Sequence, residues 1–275
     1  MRKTIFMLSL WGTLLFAGPV LSQDNFVIGV APHTSARVIL SMYQPLRLYL
    51  EKAMGLPVEI VTAPDFTEFA RRGLQQAYDI AITTGHQAAL LQADAGYIPL
   101  LTYKADFAAV VIVARKGPVK NEVDLQGKQV LGLSPSSLVT LWGQHWLIHK
   151  QIKGPPVIYV SASDSVAKRV ISGQADAGLI SRANFDKLTP DVQAQLHILV
   201  ESPPMAGRVY LLNRRQTSRK DKVEASLWSF ADTPAARSYF AENSLAGYRK
   251  LRTGELQALD PFAEEVRMEL HGGKK

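Results

Sequence analysis

The chain has 275 residues, of which 47% are hydrophobic, 20% charged and 8% aromatic, and its formal net charge is +7. This composition excludes collagen-like, low-complexity and wholly disordered chains, and the length allows one large domain or two of ordinary size. The sequence contains no cysteine, which excludes disulfides, thiolate metal sites, cysteine nucleophiles and a lipid-modified cysteine.

The N-terminus has the pattern of a secretory signal. Two basic residues precede a mostly apolar run over residues 5–16, and small residues with a proline follow. This run is shorter than the roughly 20 residues of a membrane-spanning helix, which favours a signal peptide over the alternative of a membrane anchor. We expect a signal peptide over residues 1–22, with a cut after Ala17 as the alternative, and a mature protein in the periplasm.

Short apolar runs alternate with segments of helical periodicity along the chain. Strands are predicted at 26–30, 57–61, 78–82, 97–102, 107–114, 129–133, 157–160, 175–180 and 208–212. Helices are predicted from 39 to 54 and at 65–74, 85–93, 136–150, 163–172 and 182–187, and helical sequence follows residue 212 to the end. Pro45 must either kink the first helix or begin its regular part. The alternation predicts parallel strands with crossover helices, which is an α/β fold.

One break in this alternation indicates two lobes. The long apolar strand at 107–114 has no helix before it, and the alternation restarts only after a polar turn at 123–128. We therefore predict that lobe two is inserted in lobe one. Lobe one would hold residues 24–104 and 206–275, and lobe two would hold residues 105–205. The chain would cross between them near residues 103–107 and 202–207.

Four stretches in this order carry a resemblance to a known family. They are YQPLRLYLEKAMGLPVE (43–59), YDIAITTGH (78–86), VDLQGKQVLGLSPSS (123–137) and GQADAG (173–178). Together they resemble the phosphate/phosphite/phosphonate-binding family of periplasmic ABC-transporter substrate-binding proteins, over nearly all of residues 26–215. The resemblance implies a type II-like, two-lobe binding protein with a ligand cleft at the hinge. It also implies that the protein closes on a small oxyanion and passes it to an ABC importer.

The resemblance implies that the acidic group of the ligand meets a helix N-terminus, and the residues agree. Ser134, Ser136 and Ser137 lie between a strand end and the next helix, where free backbone N–H groups and hydroxyls can hold an anion. The alternative is plain N-capping by serine. The family usually shows Asp-Pro-x-Ser-x-Ser-Gly here, whereas this chain has Leu138 after the first serine and Val139 and Thr140 at the last two positions. Fewer hydroxyls predict weaker or different phosphonate coordination, with Leu138 and Thr140 as part of the site.

Further candidates lie in predicted lobe one. Thr84, Gly85 and His86 follow a strand and open a helix, so they form a second terminus that favours an anion, and Gly85 would let a ligand approach the backbone. The alternative is a helix cap with a surface histidine. Tyr103 precedes the crossing, where the family often has a tyrosine that faces the ligand; the alternative is a packing residue at the hinge. Residues 33–37, after the first strand, are a further candidate for the cleft rim.

Two charged candidates lie in predicted lobe two. Asp176 belongs to a region that faces the cleft in the family, where it would pair with a ligand amine or order the crossing; the alternative is a turn or cap aspartate. Arg182 follows a strand and could clamp an oxyanion with two hydrogen bonds; the alternative is a solvated arginine.

Other motifs favour structural roles. His145 and His149 share a helix face and could bind zinc, but Trp146 stands where a metalloprotease has glutamate, so a structural role is favoured. The basic residues between 214 and 220 favour a solvated surface over a nucleic-acid or lipid site. No nucleophile elbow, phosphate loop, dinucleotide fingerprint or catalytic triad is present.

We therefore expect a periplasmic solute-binding protein for a small anion (phosphonate, phosphite or phosphate-like), with no cofactor, no metal, no catalytic residue and no nucleic-acid partner. It would be a monomer that docks transiently on an ABC permease and works by hinge closure. The alternative is a sensing module that docks on a membrane receptor or sensor kinase. An exported enzyme is a third hypothesis, but the sequence contains no acid–base or nucleophile constellation that would support it.

Overall fold

The computed structural model describes residues 25–160 and 162–272, so the predicted signal peptide lies outside the described residues. The strands are β1 Phe26–Val30, β2 Val58–Val61, β3 Ile80–Thr84, β4 Ile98–Tyr103, β5 Ala109–Ala114, β6 Val130–Gly132, β7 Ile158–Tyr159, β8 Ala177–Ser181, β9 Leu196–Glu201, β10 Arg208–Leu212 and β11 Tyr248–Arg249. The helices are α1 Ala36–Met54, α2 Phe66–Leu74, α3 Gly85–Ala95, α4 Leu138–His149, α5 Ser163–Ile171, α6 Arg182–Asp186, α7 Pro190–Gln193, α8 Lys220–Ala231, α9 Pro234–Glu242 and α10 Asp260–Leu270. Short 3-10 helices lie at Glu122–Leu125, Arg214–Arg219 and Gln257–Leu259.

The predicted alternation of strands and helices agrees with the structure, and two local expectations needed correction. The C-terminal segment is not wholly helical, because β11 pairs with β4 there; a strand of two residues leaves no periodicity in the sequence. Pro45 does not begin the first helix. It lies inside α1, which begins at Ala36, and the Ser35 hydroxyl accepts a hydrogen bond from the Val38 N–H at that end.

The described strands form two sheets. The first has the order β11-β4-β10-β3-β1-β2, and the second has the order β7-β6-β8-β5-β9. In the first sheet β1, β2 and β3 are parallel, and in the second β6, β7 and β8 are parallel. Each parallel set adjoins an antiparallel strand, β10 in the first sheet and β5 in the second. Helices follow the parallel strands, as right-handed crossover connections require.

Two connections join the sheets and lie side by side. One runs from β4 to β5 through residues 104–108, and the other runs from β9 to β10 through residues 202–207. Phe107 and Met205 exchange backbone hydrogen bonds of 3.1 and 2.8 Å, and the Ser202 N–H donates to the Ala109 carbonyl at 2.8 Å. Two short paired segments between two sheets are a place where backbone rotation can move one sheet relative to the other.

Alternation along the strands covers both faces of the first sheet with apolar side chains. In β10, Tyr210 and Leu212 pack in the core beneath α1, α8 and α9, whereas Val209 and Leu211 pack in the core beneath α2, α3 and α10. The second core also contains Leu138 of α4, a helix that follows a strand of the other sheet. Apolar contact therefore extends from one sheet's helices to the other's.

Candidate functional site

The loops that follow the parallel strands of the two sheets contact one another, and we call the space between them the cleft. His86, after β3, contacts Ser136, after β6. Lys187, after β8, lies near Arg208, which pairs with Thr84 at the end of β3. In open α/β sheets ligands bind at the carboxyl ends of the strands, so this edge is the candidate site.

The start of α4 is a capped helix with spare amide donors. The Ser137 hydroxyl accepts from the Thr140 N–H at 3.4 Å and donates to the Thr140 hydroxyl at 2.8 Å. Thr140 in turn accepts from the Leu133 N–H at 3.0 Å. Among the described residues, the N–H groups of Ser136 and Leu138 have no acceptor. The first turn of α4 therefore keeps donors that can bind an anion.

Ser136 connects the start of α4 to helices of the first sheet. It is fully buried; its hydroxyl lies 2.9 Å from the Thr67 hydroxyl, and its carbonyl lies 3.0 Å from Nε2 of His86. A carbonyl only accepts, so Nε2 carries the proton and Nδ1 of His86 is a bare acceptor. Burial lowers the pKa of His86 to about 4, so the ring is neutral at neutral pH.

Leu138 takes part in the contact between the two halves rather than in a polar pocket. It is 2% exposed and lies with Leu141 in the apolar core that also holds Ala206. Phe107 and Met205 of the two connections pack against the same core. The start of α4 is thus held against the first sheet by apolar packing as well as by the hydrogen bonds of Ser136.

Thr84 and Gly85 have different environments, although they are neighbours. The Thr84 hydroxyl is buried without a hydrogen-bond partner and does not cap α3. The Gly85 N–H donates to the Ala206 carbonyl at 3.2 Å, and a Cβ at this position would lie 2.8 Å from that oxygen. Close approach of the second connection therefore explains the glycine, whereas the Thr84 hydroxyl stays buried and unused at the end of β3.

Three cationic or titratable side chains converge on the cleft, and we call His33, Lys187 and Arg208 the basic group. Arg208 is partly buried, with its Cζ 5.9 Å from the centroid of the Tyr103 ring. Burial opposes its charge, but the nearby oxygens of Tyr43, Tyr103 and Tyr239 outweigh that effect and raise its pKa. Arg208 therefore remains a cation.

Within the part of the chain that the structure describes, no carboxylate forms an ion pair with a member of the basic group. Burial holds the pKa of His33 well below its ordinary value, and the charges of Arg208 and then Lys187 add to this effect. Burial also lowers the pKa of Lys187, with Arg208 as the second cause. Cations that are gathered without a counter-ion create a positive potential that attracts an anion.

Buried polar atoms that lack a hydrogen-bond partner concentrate at the same edge. Of six such side-chain atoms among the described residues, four lie here: Nε2 of His33, Oγ1 of Thr84, Nδ1 of His86 and Oγ of Ser134. Nδ1 of His33 donates to the Ala31 carbonyl at 2.9 Å, so its Nε2 is an acceptor until it takes up a proton. Because buried polar groups in proteins are almost always hydrogen-bonded, four such atoms at one edge indicate a place for a polar ligand.

Tyr103 lies in a buried cluster of five tyrosines. Its hydroxyl is hydrogen-bonded to those of Tyr210, at 2.6 Å, and of Tyr239. Tyr210 continues to Tyr248 at 3.0 Å, and Tyr43 lies 3.5 Å from the Tyr103 hydroxyl. Tyr103 therefore faces the core through its hydroxyl, and its ring reaches the cleft only through Arg208.

Asp176 and Arg182 have partners of their own. Asp176 precedes β8 and so lies at the opposite end of that strand from the cleft, where its carboxylate accepts from the Gln129 N–H at 3.0 Å. Arg182 follows β8 but pairs with Asp186 at 2.9 Å and Glu201 at 2.8 Å. These contacts favour structural roles for both side chains.

The remaining motifs form structural contacts. His145 pairs with Glu265 of α10 and packs on Phe262, so it links α4 to the first sheet. In the basic segment after β10, Arg215 pairs with the buried Asp79 at 2.9 Å, and Lys220 pairs with Glu224 at 2.9 Å.

Sequence reasoning did not identify Arg208 or Lys187. Arg208 is the first residue of a predicted strand, and the only signal was a basic residue directly after the second crossing. Its importance depends on β10 running antiparallel to β3, which brings the start of one strand beside the end of the other.

None of the helices in the described part of the chain is long and apolar enough to cross a membrane. Nor do the described residues contain a group of three or more His, Cys, Asp or Glu side chains that could hold a metal ion.

The sequence profile of one protein family matches residues 28–255. Its description is "ABC transporter, phosphonate, periplasmic substrate-binding protein". No curated protein matches the chain.

Solved structures share the fold at low sequence identity. XAC2383 from Xanthomonas citri, bound to ATP, has a TM-score of 0.76 and 20% identity over 88% of this chain and 98% of its own. PhnD1 from Prochlorococcus marinus, in complex with methylphosphonate, has a TM-score of 0.75 and 12% identity over 88% and 98%. A binding-protein component of an ABC phosphonate transporter from Pseudomonas aeruginosa has a TM-score of 0.75 and 15% identity over 92% and 91%. These likenesses confirm the predicted α/β fold with two lobes.

Proposed function

Since the chain belongs to the family of periplasmic substrate-binding proteins of ABC phosphonate transporters, we propose that it captures a small phosphorus oxyanion for an ABC importer. The oxyanion is a phosphonate, phosphite or phosphate-like anion. The family consists of solute-binding transport proteins, so we assign no catalytic residue. The observation that carries the proposal is the basic group, which has no carboxylate partner among residues 25–160 and 162–272 and adjoins buried polar atoms that lack hydrogen bonds.

Each side of the cleft supplies a different kind of contact to the proposed anion. Arg208 and the Thr84 hydroxyl donate from the first sheet, and the Ser134 hydroxyl and the first amides of α4 donate from the second. Lys187 adds charge from the second sheet. Charge-assisted hydrogen bonds in a partly dry cleft are the strongest that a binding protein can offer an oxyanion.

Closure of the lobes follows from the division of these contacts. We propose lobes of residues 24–104 with 206–275 and of residues 105–205, which bend at the paired connections. A ligand that touches both lobes makes all its contacts only when the lobes are closed. It therefore stabilises the closed state by the difference between its binding free energies for the closed and open states. Thr67 and His86 also bond Ser136 across the same gap and add to the closed state.

The structural neighbours support this class of ligand. PhnD1 binds methylphosphonate and XAC2383 binds ATP, and both ligands carry phosphorus oxyanions. The positive charge of the basic group suits the phosphorus oxyanion of either ligand. The predicted signal peptide, the monomeric state and docking on a permease rather than on a membrane sensor belong to the same proposal.

Calorimetry with purified protein tests the proposal directly. The protein is unfolded and refolded to remove any bound solute, and then titrated with methylphosphonate, phosphite and phosphate, with methanesulfonate as a singly charged comparison. At 100 times its Kd, a ligand stabilises the folded state by about 2.7 kcal/mol. That gain should raise the Tm by roughly 5–10 °C for a chain of this size. Absence of binding by all three phosphorus anions would overturn the proposal.

A further inference from the structure

We propose that the cleft selects anions that carry no ammonium group, so that it discriminates against aminophosphonates. The inference rests on the proposed function and names the kind of phosphonate that the site accepts. It follows from the side chains at the cleft that have no partner of opposite charge among the described residues, since Arg208 and Lys187 are both cations.

The groups that face the cleft from both sheets are positive or can become positive. Arg208 enters from the start of β10, and His33 enters from the loop after β1 with a bare Nε2. Lys187, an exposed residue at the end of α6, enters from the other sheet and lies close enough to Arg208 for each charge to oppose the other. A second anionic group on the ligand, or an apolar one, fits this surrounding. An ammonium group would find an acceptor in the neutral His33 ring but would stand beside two cations.

The carboxylates of the loops and helices at this edge already accept hydrogen bonds among the described residues. Asp65 caps α2 by accepting from the Glu68 N–H at 2.7 Å. Asp186 and Glu201 are held by Arg182, at 2.9 and 2.8 Å. The further acidic side chains nearby are also engaged: Asp106 with Arg249 and Arg252, Asp164 with Lys168, Glu265 with His145, and Glu269 with the Thr67 hydroxyl.

Asp176 does not change this balance. It was the one acidic residue that the sequence suggested as a partner for a ligand amine, and it lies at the far end of β8 bonded to the Gln129 N–H. A ligand ammonium group would therefore leave water without gaining a counter-ion and would stand beside Arg208 and Lys187. The loss is specific to the amine, because the phosphonate group keeps all its contacts.

Two phosphonates of equal size give the sharpest test. In 2-aminoethylphosphonate an ammonium group takes the place of the terminal methyl group of propylphosphonate, so the two differ in charge and hardly in shape. We expect the refolded protein to bind propylphosphonate at least tenfold more tightly than 2-aminoethylphosphonate in calorimetric titrations. Phosphonoacetate, with a second anionic group, should bind at least as tightly as propylphosphonate.

One substitution should reverse the preference. Lys187→Glu places a carboxylate among the remaining cations, and we expect it to improve the affinity for 2-aminoethylphosphonate relative to propylphosphonate by at least tenfold. Lys116→Glu makes the same change of charge directly after β5, near the end of the sheet that holds Asp176, and should leave the ratio unchanged. The comparison of the two ligands on the unaltered protein stands even where a variant fails to fold.

The outcomes separate the two proposals. If propylphosphonate binds and 2-aminoethylphosphonate binds equally or more tightly, the selection against amines is wrong and the proposed function stands. If no phosphonate and no other phosphorus oxyanion binds, both are wrong.

Discussion

Replacement of Arg208 by methionine should weaken binding far more than it changes the stability of the empty protein. Methionine keeps a long side chain beside the Tyr103 ring but removes the charge. Loss of a cation that bonds a largely desolvated oxyanion costs about 2–5 kcal/mol, which is roughly a 30-fold to 4,000-fold rise in Kd.

The effect on stability should be smaller. Arg208 contributes a cation–π contact of about 1 kcal/mol. Its desolvation and its repulsion of Lys187 oppose the charge, but the oxygens of the surrounding tyrosines outweigh them. For a side chain that is only partly buried we therefore expect a net loss of about 1 kcal/mol on removal of the charge, or roughly 2–4 °C in Tm.

The assay compares urea unfolding of the empty proteins with calorimetric titration of methylphosphonate. Arg182→Met is the matched control, because Arg182 also lies at this edge but pairs with two carboxylates. The control should retain its affinity for the ligand and lose a little stability. If Arg208→Met destabilised the protein but kept its affinity for the ligand, Arg208 would be a structural residue and the assignment of the basic group would be wrong.

Three further predictions concern pH and packing. The folded pKa of His86, about 4, lies below its ordinary 6.5. The contribution of His86 to the free energy of unfolding is therefore fully present above pH 6.5 and should fall by about 3 kcal/mol as the pH drops to 4. His86→Gln, which can still donate to Ser136, should remove most of this fall in urea unfolding at pH 7 and 4.5; parallel curves for both proteins would contradict it. Gly85→Ala should cost about 1–3 kcal/mol in urea unfolding, since its Cβ would press on the Ala206 carbonyl; an unchanged midpoint would show that the second connection yields freely. His33 is neutral in the empty protein, and a bound anion raises its pKa, so binding of methylphosphonate at pH 6 should take up a proton. Calorimetry in two buffers of different ionisation enthalpy should show less uptake for His33→Gln, and equal uptake would remove His33 from the site.

Local patterns predicted the elements well where burial is simple. The apolar run at 26–30 is β1 with the same bounds, and the run at 208–212 is β10 with the same bounds. Such strands are buried on both faces, so composition alone marks them. The two residues of β11 form a strand by pairing with β4, and no local sequence pattern marks so short a strand.

The candidate site was predicted in part, because the residues that begin a helix can be recognised in the sequence, whereas charges that meet only in the folded protein cannot. Serine and threonine before an apolar helix identified residues 84 and 137 as termini that can present amides. The sequence could not show that Ser136 would be buried against His86, or that Asp176 would lie at the far end of its strand.

The sequence by itself determined the α/β alternation, the break that separates two sheets and the family, because these depend on periodicity and on short motifs in order. Only the tertiary structure decided which charges meet. His33, Lys187 and Arg208 are far apart along the chain, and they come together because β10 runs antiparallel to β3 and the second sheet folds over the first. Coulomb interaction depends on distance in space, and no local pattern encodes a cluster that the fold assembles from three separate loops.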